Sequence, residues 1–238
     1  MVASPRQIMS KRALVIGSSD GIGLATTRLL LRDGWCVVGV SRSPSPIPDA
    51  TYTHHTADVQ NADYVELLRG LAKEGLDLCI YCVGIGEILV PDEMRAESRV
   101  FHVNLMGLVK TTEIVLPPMV RAARGHFIGL SSIADGLISD RSPSYSASKA
   151  GFTSYLNGLA LALKPKGVNV SNIRFGFVDT KLVKAKRTPL MMSVEEAAAH
   201  VMQVVATRPM SLTVPKLIAV AAKLTNLKVK LKVLFTGR

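Results

Sequence analysis

The segment Ala13-Leu-Val-Ile-Gly17-Ser-Ser-Asp-Gly21-Ile-Gly23 decides the fold, because it joins an apolar run to three closely spaced glycines. The run Ala13–Ile16 predicts a buried strand, and the apolar residues that follow recur at helical spacing up to Gly34. A glycine turn between a strand and a helix lets the backbone approach an anion at the helix N-terminus. We therefore predict a dinucleotide-binding loop made of Gly17, Ser18, Ser19, Asp20, Gly21, Ile22 and Gly23.

Apolar runs and helical patterns alternate along the rest of the chain. The sequence predicts strands over 36–40, 77–83, 125–130, 168–174 and 211–214, and helices over 63–73, 97–120 and 145–163. The strands are continuous apolar runs, which is typical of parallel strands buried on both faces. We therefore expect an α/β fold: a doubly wound (Rossmann) parallel sheet with helices on both faces, in a single domain over 1–238.

The composition excludes several classes of protein. Of the 238 residues 48% are hydrophobic and 20% are charged, which indicates a folded domain and excludes a disordered chain. Apolar runs stay shorter than the ~18 residues that a membrane-spanning helix needs. The three cysteines, Cys36, Cys79 and Cys82, are too few for a disulfide framework, and Cys79-x-x-Cys82 has no second pair to complete a metal site. We expect a cytoplasmic protein without a metal.

The end of the second strand predicts which dinucleotide binds. A carboxylate there would accept a hydrogen bond from a ribose 2′-hydroxyl, whereas this chain has Ser41-Arg42 and no nearby acid. A guanidinium can pair with a phosphate through two hydrogen bonds. We therefore predict NADP(H) in preference to NAD(H), bound with the help of Ser41 and Arg42; the alternative is that Arg42 is a solvated loop residue.

Several further motifs carry a resemblance to a known family. Gly17-x-x-x-Gly21-Ile22-Gly23 is followed by Ala57-Asp58-Val59, Asn104-Leu105, Ser131-Ser132, Tyr145-Ser-Ala-Ser-Lys149 and Gly176-Phe-Val178-Asp-Thr180. Over roughly residues 10 to 185 the chain resembles the short-chain dehydrogenase/reductase family of the common ~250-residue type. Ser132 lies 13 residues before Tyr145, which is the usual family spacing and favours Ser132 over Ser131 as the catalytic serine.

The resemblance implies a set of catalytic and cofactor-binding residues. The catalytic residues would be Ser132, Tyr145, Lys149 and Asn104, the last of which would hold a water that relays protons from Lys149 to solvent. Besides the glycine loop, Ser41 and Arg42, the cofactor would contact Asp58, Val59, Cys82, Val83, Gly84, Tyr145, Lys149, Gly176, Val178 and Thr180.

The residue types explain the expected chemistry. Tyrosine has an ordinary pKa of about 10, and a nearby ammonium group favours the phenolate. Tyr145 and Lys149 are four residues apart and therefore share one helix face. We expect Lys149 to lower the pKa of Tyr145, which would give a proton to a carbonyl oxygen while Ser132 hydrogen-bonds that oxygen.

The chain departs from the family at three places. Ile16 precedes the glycine loop where the family usually has threonine, and Phe175 replaces a proline before Gly176. Tyr81-Cys82-Val83-Gly84 replaces Asn-Asn-Ala-Gly, which puts in doubt a hydrogen bond that normally tethers the central strand. None of these changes affects the proton-transfer residues.

The basic residues are concentrated at the end of the chain. The net charge is +11, and residues 181–238 hold 11 basic and 2 acidic side chains. We assign 181–210 to a short substrate lid, whose basic start could attract an acidic substrate or form a solvated turn. The segment 215–238 reads as a basic amphipathic tail that could pack on the protein body, on another subunit or on an anionic membrane.

These observations favour an NADPH-dependent oxidoreductase that reversibly reduces a ketone or aldehyde carbonyl of a small-molecule substrate to an alcohol. Three alternatives stay open: a 3-oxoacyl-thioester reductase acting on an acyl carrier, a membrane-associated reductase of lipid or steroid ketones, and a cofactor-binding sensor or scaffold. The resemblance implies a homodimer or homotetramer. Nucleic-acid binding is not expected, because the basic tail has no aromatic platform beyond Phe235.

Overall fold

The computed structural model describes residues 11–182, 191–216 and 226. Its strands are β1 (Arg12–Ile16), β2 (Cys36–Ser41), β3 (Tyr52–Thr56), β4 (Leu78–Tyr81), β5 (His126–Ser132), β6 (Asn169–Phe175) and β7 (Ser211–Val214). Its α-helices are α1 (Gly21–Arg32), α2 (Ala62–Lys73), α3 (Arg95–Phe101), α4 (Gly107–Arg121), α5 (Pro143–Leu163) and α6 (Val194–Thr207). A π-helical turn over His102–Met106 joins α3 to α4, and a 3-10 turn over Ile133–Gly136 follows β5.

The strands form one parallel sheet in the order β3-β2-β1-β4-β5-β6-β7. Successive residues of the buried strands enter separate cores on the two faces: Leu14 lies in one core with Phe127 and Phe152, whereas Val15 lies in the other with Val201. Helices cover both faces, with α1 and α6 packed together on one of them. The predicted fold class, a doubly wound parallel α/β sheet in one domain, is confirmed.

The strand order places the site. The chain winds outward from β1 through β2 to β3, then returns to β4 on the other side of β1. The winding therefore reverses between β1 and β4, and ligands of open parallel sheets bind beyond the carboxyl ends of the strands at such a point. The glycine loop leaves β1 there, and Ser132 ends β5 at the same edge.

Two elements escaped the sequence analysis. Strand β3 (Tyr-Thr-His-His-Thr) is a polar edge strand with every residue at least partly exposed, so it lacks the apolar run that marked the others. Helix α6 begins with a capping box between Ser193 and Glu196 and buries Ala197, Val201 and Val204. A lid over all of 181–210 is therefore too broad a prediction, because α6 belongs to the packed body.

Tyr81 resolves the doubt about the central strand. Its hydroxyl donates a hydrogen bond to the carbonyl oxygen of Val103 at 2.8 Å, and the side chain is fully buried. Gly107 lies so close to this hydroxyl that a Cβ there would overlap it. In this chain a tyrosine side chain thus connects β4 to the π-helical turn, at the place where the sequence had put the usual hydrogen bond in doubt.

Most of the basic C-terminal region lies outside the described residues. Residues 183–190 are outside them, and so is the predicted tail beyond Lys216 except Asn226. The apolar stripe that would make this tail amphipathic is therefore not described either. The side-chain oxygen of Asn226 accepts a hydrogen bond from the backbone N–H of Ile138 at 3.2 Å. Among the described residues no helix is long and apolar enough to cross a membrane.

We predict opposite effects of alanine at two helical glycines. At Gly23 a Cβ would overlap the carbonyl oxygen of Gly17, so Gly23→Ala should lower the free energy of unfolding by more than about 2 kcal/mol. Gly70 is exposed in α2 with nothing within 4 Å of an added Cβ, so Gly70→Ala should raise that free energy by about 1 kcal/mol. Urea unfolding of both variants provides the comparison. A Gly23→Ala protein as stable as the parent would contradict the contact between loop and helix.

Candidate active site

Two adjoining clefts open at the carboxyl edge of the sheet. The larger, of about 410 Å³, runs from the glycine loop to the ends of β2 and β3, and the smaller, of about 220 Å³, lies over the end of β5. Their walls share Asp20, Cys82, Gly84, Lys181 and Leu182. An elongated ligand could therefore occupy both clefts with its middle at the glycine loop.

The glycine loop has the backbone shape that an anion site requires. Gly17 has φ of +91°, which favours glycine, and Asp20 accepts the N–H of Gly21 at 2.8 Å at the start of α1. Lys181 forms an ion pair with Asp20 at 2.6 Å and holds the pKa of that carboxyl below its usual range. Ser18 is fully buried, and its Oγ accepts a hydrogen bond from the Tyr52 hydroxyl at 3.1 Å, so its side chain faces away from the cleft.

Polar side chains bound the far end of the larger cleft. Ser41 ends β2, Arg42 and Ser43 follow it, and all three line this end of the cleft together with Asp58. Asp58 accepts the backbone N–H of Gln60 at 3.0 Å, which keeps this turn in place. One end of the cleft thus carries a guanidinium and two serines, a combination suited to a phosphate group.

Ser132, Tyr145 and Lys149 all line the smaller cleft. Ser132 ends β5, where its Oγ accepts the N–H of Ala134 at 3.2 Å. Tyr145 and Lys149 follow each other by one turn on α5, as expected. The Ser131 side chain points away, toward Thr153 at 2.8 Å.

Burial controls the charges of this site. It raises the pKa of Tyr145 above its ordinary value, although a hydrogen bond from Ser132 acts in the opposite direction. Lys149 Nζ donates to the carbonyl of Leu130 at 2.8 Å and lies 6.0 Å from the centre of the Tyr145 ring, so burial outweighs any lowering of the Tyr145 pKa by Lys149, which stays a prediction. Burial lowers the pKa of Lys149 to about 8, and Asp135 opposes that shift. At neutral pH the tyrosine is therefore a neutral phenol beside a lysine that loses its proton readily.

Asn104 lies in the π-helical turn and is fully buried. Its Oδ1 accepts the N–H of Ile85 at 2.8 Å, while its Nδ2 donates to the Ile85 carbonyl at 2.9 Å and to Ser148 Oγ at 3.0 Å. These bonds clamp the segment after β4 against α5. A Cβ at Gly84 would stand 3.5 Å from Lys149 Nζ, so glycine leaves open the space beside the lysine.

A largely buried ion pair that the sequence analysis missed lies beside the turn that follows Ser132. Arg174 on β6 donates through Nε to Asp135 at 2.6 Å, and its second nitrogen binds the other carboxylate oxygen. Thr153 on α5 also donates to Asp135, at 2.7 Å. The carboxylate therefore joins β6, α5 and the 3-10 turn directly after Ser132. Asp135 and Arg174 are 39 residues apart in the sequence, so no local sequence pattern indicates that they pair.

The opposite wall of the smaller cleft is formed by the segment after β6. Gly176, Val178 and Thr180 line it, and Phe177 is half exposed beside them. The N–H of Asp179 donates to the Met192 carbonyl at 2.9 Å, which fixes the far side of this segment. The basic residues predicted next, 184–187, lie outside the described residues.

The structure brings most of the predicted residues to the two clefts. The larger is lined by Gly17, Ser19, Asp20, Ser41, Arg42, Asp58, Val59, Cys82, Val83 and Gly84, and the smaller by Gly21, Ile22, Gly23, Ser132, Tyr145, Lys149, Gly176, Val178 and Thr180. Asn104 and the Ser18 side chain lie behind the walls. Within the described part of the chain, no cluster of three His, Cys, Asp or Glu residues could hold a metal ion.

The glycine loop and the two clefts have a shape that can accept a dinucleotide. Gly17 and Gly23 bring β1 and α1 too close for side chains, and the two clefts form one elongated groove with the phosphate-suited end at Arg42. The residues present therefore fit a nicotinamide dinucleotide. The glycine loop would hold its pyrophosphate, and Lys149 and Tyr145 would lie at the end of the groove away from Arg42. Such a site defines a nucleotide-dependent oxidoreductase.

Comparison with known proteins agrees with this class. The sequence profile of the short chain dehydrogenase family matches residues 11–190. An uncharacterized oxidoreductase of Staphylococcus saprophyticus is 30% identical over 74% of this chain and 82% of its own. Another, from Myxococcus xanthus, is 31% identical over 78% and 79%. The chain belongs to the short-chain dehydrogenase family and is one of its oxidoreductases.

Solved structures share the fold at lower identity. A short chain dehydrogenase from Burkholderia cenocepacia, in complex with NADP, has a TM-score of 0.81 at 21% identity, covering 93% of this chain and 97% of that one. A short-chain dehydrogenase from Streptomyces avermitilis has a TM-score of 0.78 at 22% identity, covering 94% and 95%. At these identities the likeness establishes the fold.

We predict that the buried ion pair stabilises the site. Asp135→Asn would leave the Arg174 charge buried without its partner and should lower the free energy of unfolding by about 3 kcal/mol. Glu66→Gln breaks an exposed ion pair with Arg69 and serves as the control, with little expected change. Denaturant unfolding measures both. Equal stability of the two variants would show that the Asp135 carboxylate is not held as described.

Proposed function

We propose that the protein reduces a ketone or aldehyde carbonyl of a small molecule to an alcohol, reversibly and with NADP(H). One observation carries the proposal: Ser132, Tyr145 and Lys149 line a single cleft that continues into the glycine-loop cleft. The nicotinamide cofactor characteristic of the family, when bound, supplies the hydride. The chain's own residues then have to hold the carbonyl and move one proton.

Tyr145 is the proposed proton donor. Burial keeps its phenol neutral at physiological pH, which is the form that can give a proton to the oxygen as the carbonyl is reduced. Ser132 reaches the same space and stabilises the growing negative charge on that oxygen. The reverse oxidation needs the phenolate, so it is favoured by high pH.

Lys149 and Asn104 are proposed to support the proton transfer. Lys149 is 3% exposed and has a pKa lowered to about 8 by burial, so it can change its protonation state near neutrality. Its Nζ lies beside the open space at Gly84, through which a proton could pass to solvent. Asn104 holds Ile85 and thereby the wall of that space. Lys149 would also bind the ribose hydroxyls.

The preference for NADP(H) rests on the end of β2. Arg42, Ser41 and Ser43 line the larger cleft, and no acidic residue adjoins them in the sequence, although Asp58 lines the same cleft. The similar structure from Burkholderia cenocepacia is described as a complex with NADP. Both observations support NADP(H) as the cofactor of this chain.

We further propose a cytoplasmic homo-oligomer. Phe101, Met106 and Leu161 are large apolar side chains exposed on α3, the π-helical turn and α5. A second copy of the chain would remove this surface from water. The acyl-carrier and membrane alternatives depended on the basic residues of 181–238, most of which lie outside the described part, and no described contact favours them.

Replacing the proposed proton donor should abolish turnover. Tyr145→Phe removes only the phenolic hydroxyl, and we expect kcat to fall by about 10²-fold to 10⁴-fold with NADPH binding unchanged. Tyr155→Phe is the matched control, since that hydroxyl binds Thr112 away from both clefts. NADPH oxidation with a panel of ketones and aldehydes measures the rates. Full activity of Tyr145→Phe would overturn the mechanism, and no turnover by the parent chain would favour a sensor or scaffold.

Replacing Arg42 should weaken the binding of NADPH and leave the binding of NADH unchanged. Arg42→Ala removes the guanidinium at the phosphate-suited end, and we expect the Kd of NADPH to rise by about tenfold to a hundredfold. The Kd of NADH should stay the same, because that cofactor has a hydroxyl in place of the phosphate. Calorimetric titration of both cofactors gives the ratio. An unchanged ratio would show that Arg42 is a solvated loop residue.

A further inference from the structure

A chain of side-chain contacts lies behind the phosphate-suited end of the larger cleft. The Tyr52 hydroxyl lies 3.1 Å from Ser18 Oγ and 3.0 Å from His54 Nδ1. On the other side of the ring, His54 Nε2 lies 3.0 Å from the Ser43 carbonyl oxygen and 3.4 Å from Ser41 Oγ. These contacts connect the glycine loop to the turn that carries Arg42, across the β2–β3 edge of the sheet.

The backbone of β2 is shaped for this connection. Gly39 lies opposite His54 in the parallel register, and a Cβ at Gly39 would overlap both the Tyr52 hydroxyl and Ser18 Oγ. Glycine inside a strand usually lowers the stability of the fold, because it has no side chain to pack and loses more backbone entropy on folding. The missing side chain lets Tyr52 reach the glycine loop.

The hydrogen-bond partners of His54 suit both of its charge states. A carbonyl only accepts, so Nε2 keeps its proton toward Ser43 in either state. The Tyr52 hydroxyl can donate to Nδ1 of a neutral ring. It can also accept from Nδ1 of a charged ring and donate its own proton to Ser18 Oγ. Protonation of His54 therefore requires only a change of hydrogen positions.

The surroundings of His54 disfavour its charge until an anion arrives. Partial burial and the neighbouring His55 lower its pKa below the ordinary value, while the Ser43 carbonyl acts in the opposite direction. The charged side chains that line this end of the cleft are the Arg42 guanidinium, on the adjoining turn, and the Asp58 carboxylate, which follows β3; the His55 side chain is next to His54 on the same strand. A phosphate dianion held by Ser41, Arg42 and Ser43 would add negative charge near His54 and favour its protonated form.

We propose that His54 is a specificity-determining residue for the cofactor: it positions the Ser41–Ser43 turn and becomes protonated when a 2′-phosphate binds there. This rests on the proposed NADP(H) function and extends it to the regulation of cofactor choice. The preference for NADPH over NADH increases as the pH falls, because phosphate binding takes up a proton at His54. The charge lies behind the cleft wall and acts through it, since Ser41 and Ser43 line the cleft and His54 does not.

Cofactor binding at several pH values tests the proposal. The full chain and its variants are titrated with NADPH and with NADH at about pH 6.5, 7.5 and 8.5, and binding is followed by nicotinamide fluorescence. These pH values start near the ordinary pKa of histidine, about 6.5, and extend above it. For the parent chain we expect the ratio of the two Kd values to change by roughly threefold to tenfold across this range, in favour of NADPH at low pH. In His54→Gln the ratio should be nearly constant.

Two further variants control for indirect effects. Tyr52→Phe removes the acceptor for Nδ1–H and should reduce the pH dependence while His54 stays in place. His55→Gln removes the neighbouring histidine and should retain the pH dependence. The phosphate itself gains a proton near pH 6, but that titration is shared by all variants and weakens binding instead of strengthening it.

A direct measurement keeps the proposal testable even if His54→Gln does not fold. The imidazole resonance of His54 in the parent chain can be followed against pH by NMR, without ligand, with 2′-AMP and with 5′-AMP. We expect 2′-AMP to raise the pKa of His54 more than 5′-AMP does. Equal effects of the two nucleotides, or identical pH dependence in the parent and His54→Gln, would overturn the role of His54. Failure of NADPH to bind at any pH would overturn the proposed cofactor itself, and with it this inference.

Discussion

The close approach of α1 to the end of β1 is the constraint on which the rest of the site depends. It exists because Gly17 and Gly23 have no side chains where helix and strand meet. The contact brings the N-terminus of α1, with its unpaired N–H groups, to the carboxyl edge of the sheet. Since β1 lies between β2 and β4, both clefts open from this contact, one toward each side of the sheet.

The chemical end of the site is organised by burial. Lys149 is almost completely enclosed, and its ammonium group donates to the Leu130 carbonyl and lies 4.6 Å from the Phe152 ring centre. An apolar enclosure of this kind lowers the pKa of the lysine and raises that of Tyr145, because it favours the neutral amine and the neutral phenol over their charged forms. The Asp135–Arg174 pair fixes the turn after Ser132 from behind, which keeps the serine and the tyrosine in one cleft.

The two ends of the groove are built by different elements. The end of the larger cleft near Arg42 depends on the β2–β3 edge, where His54 and Tyr52 connect the glycine loop with the Ser41–Ser43 turn. The smaller cleft, which Ser132, Tyr145 and Lys149 line, depends on β5, α5 and the turn between them. The glycine loop is the element common to both.

The sequence by itself determined the features that arise from neighbouring residues. The glycine loop, the buried strands and the Tyr145–Lys149 helix face follow from local spacing and continuous apolar runs. Only the tertiary structure decided the polar edge strand β3, the tether from Tyr81 to Val103, the Asp135–Arg174 pair and the direction of the Tyr145 pKa. These depend on partners 22 to 39 residues away or on enclosure by several elements. Local patterns carry no information on either, because distance and burial are created only when the chain packs.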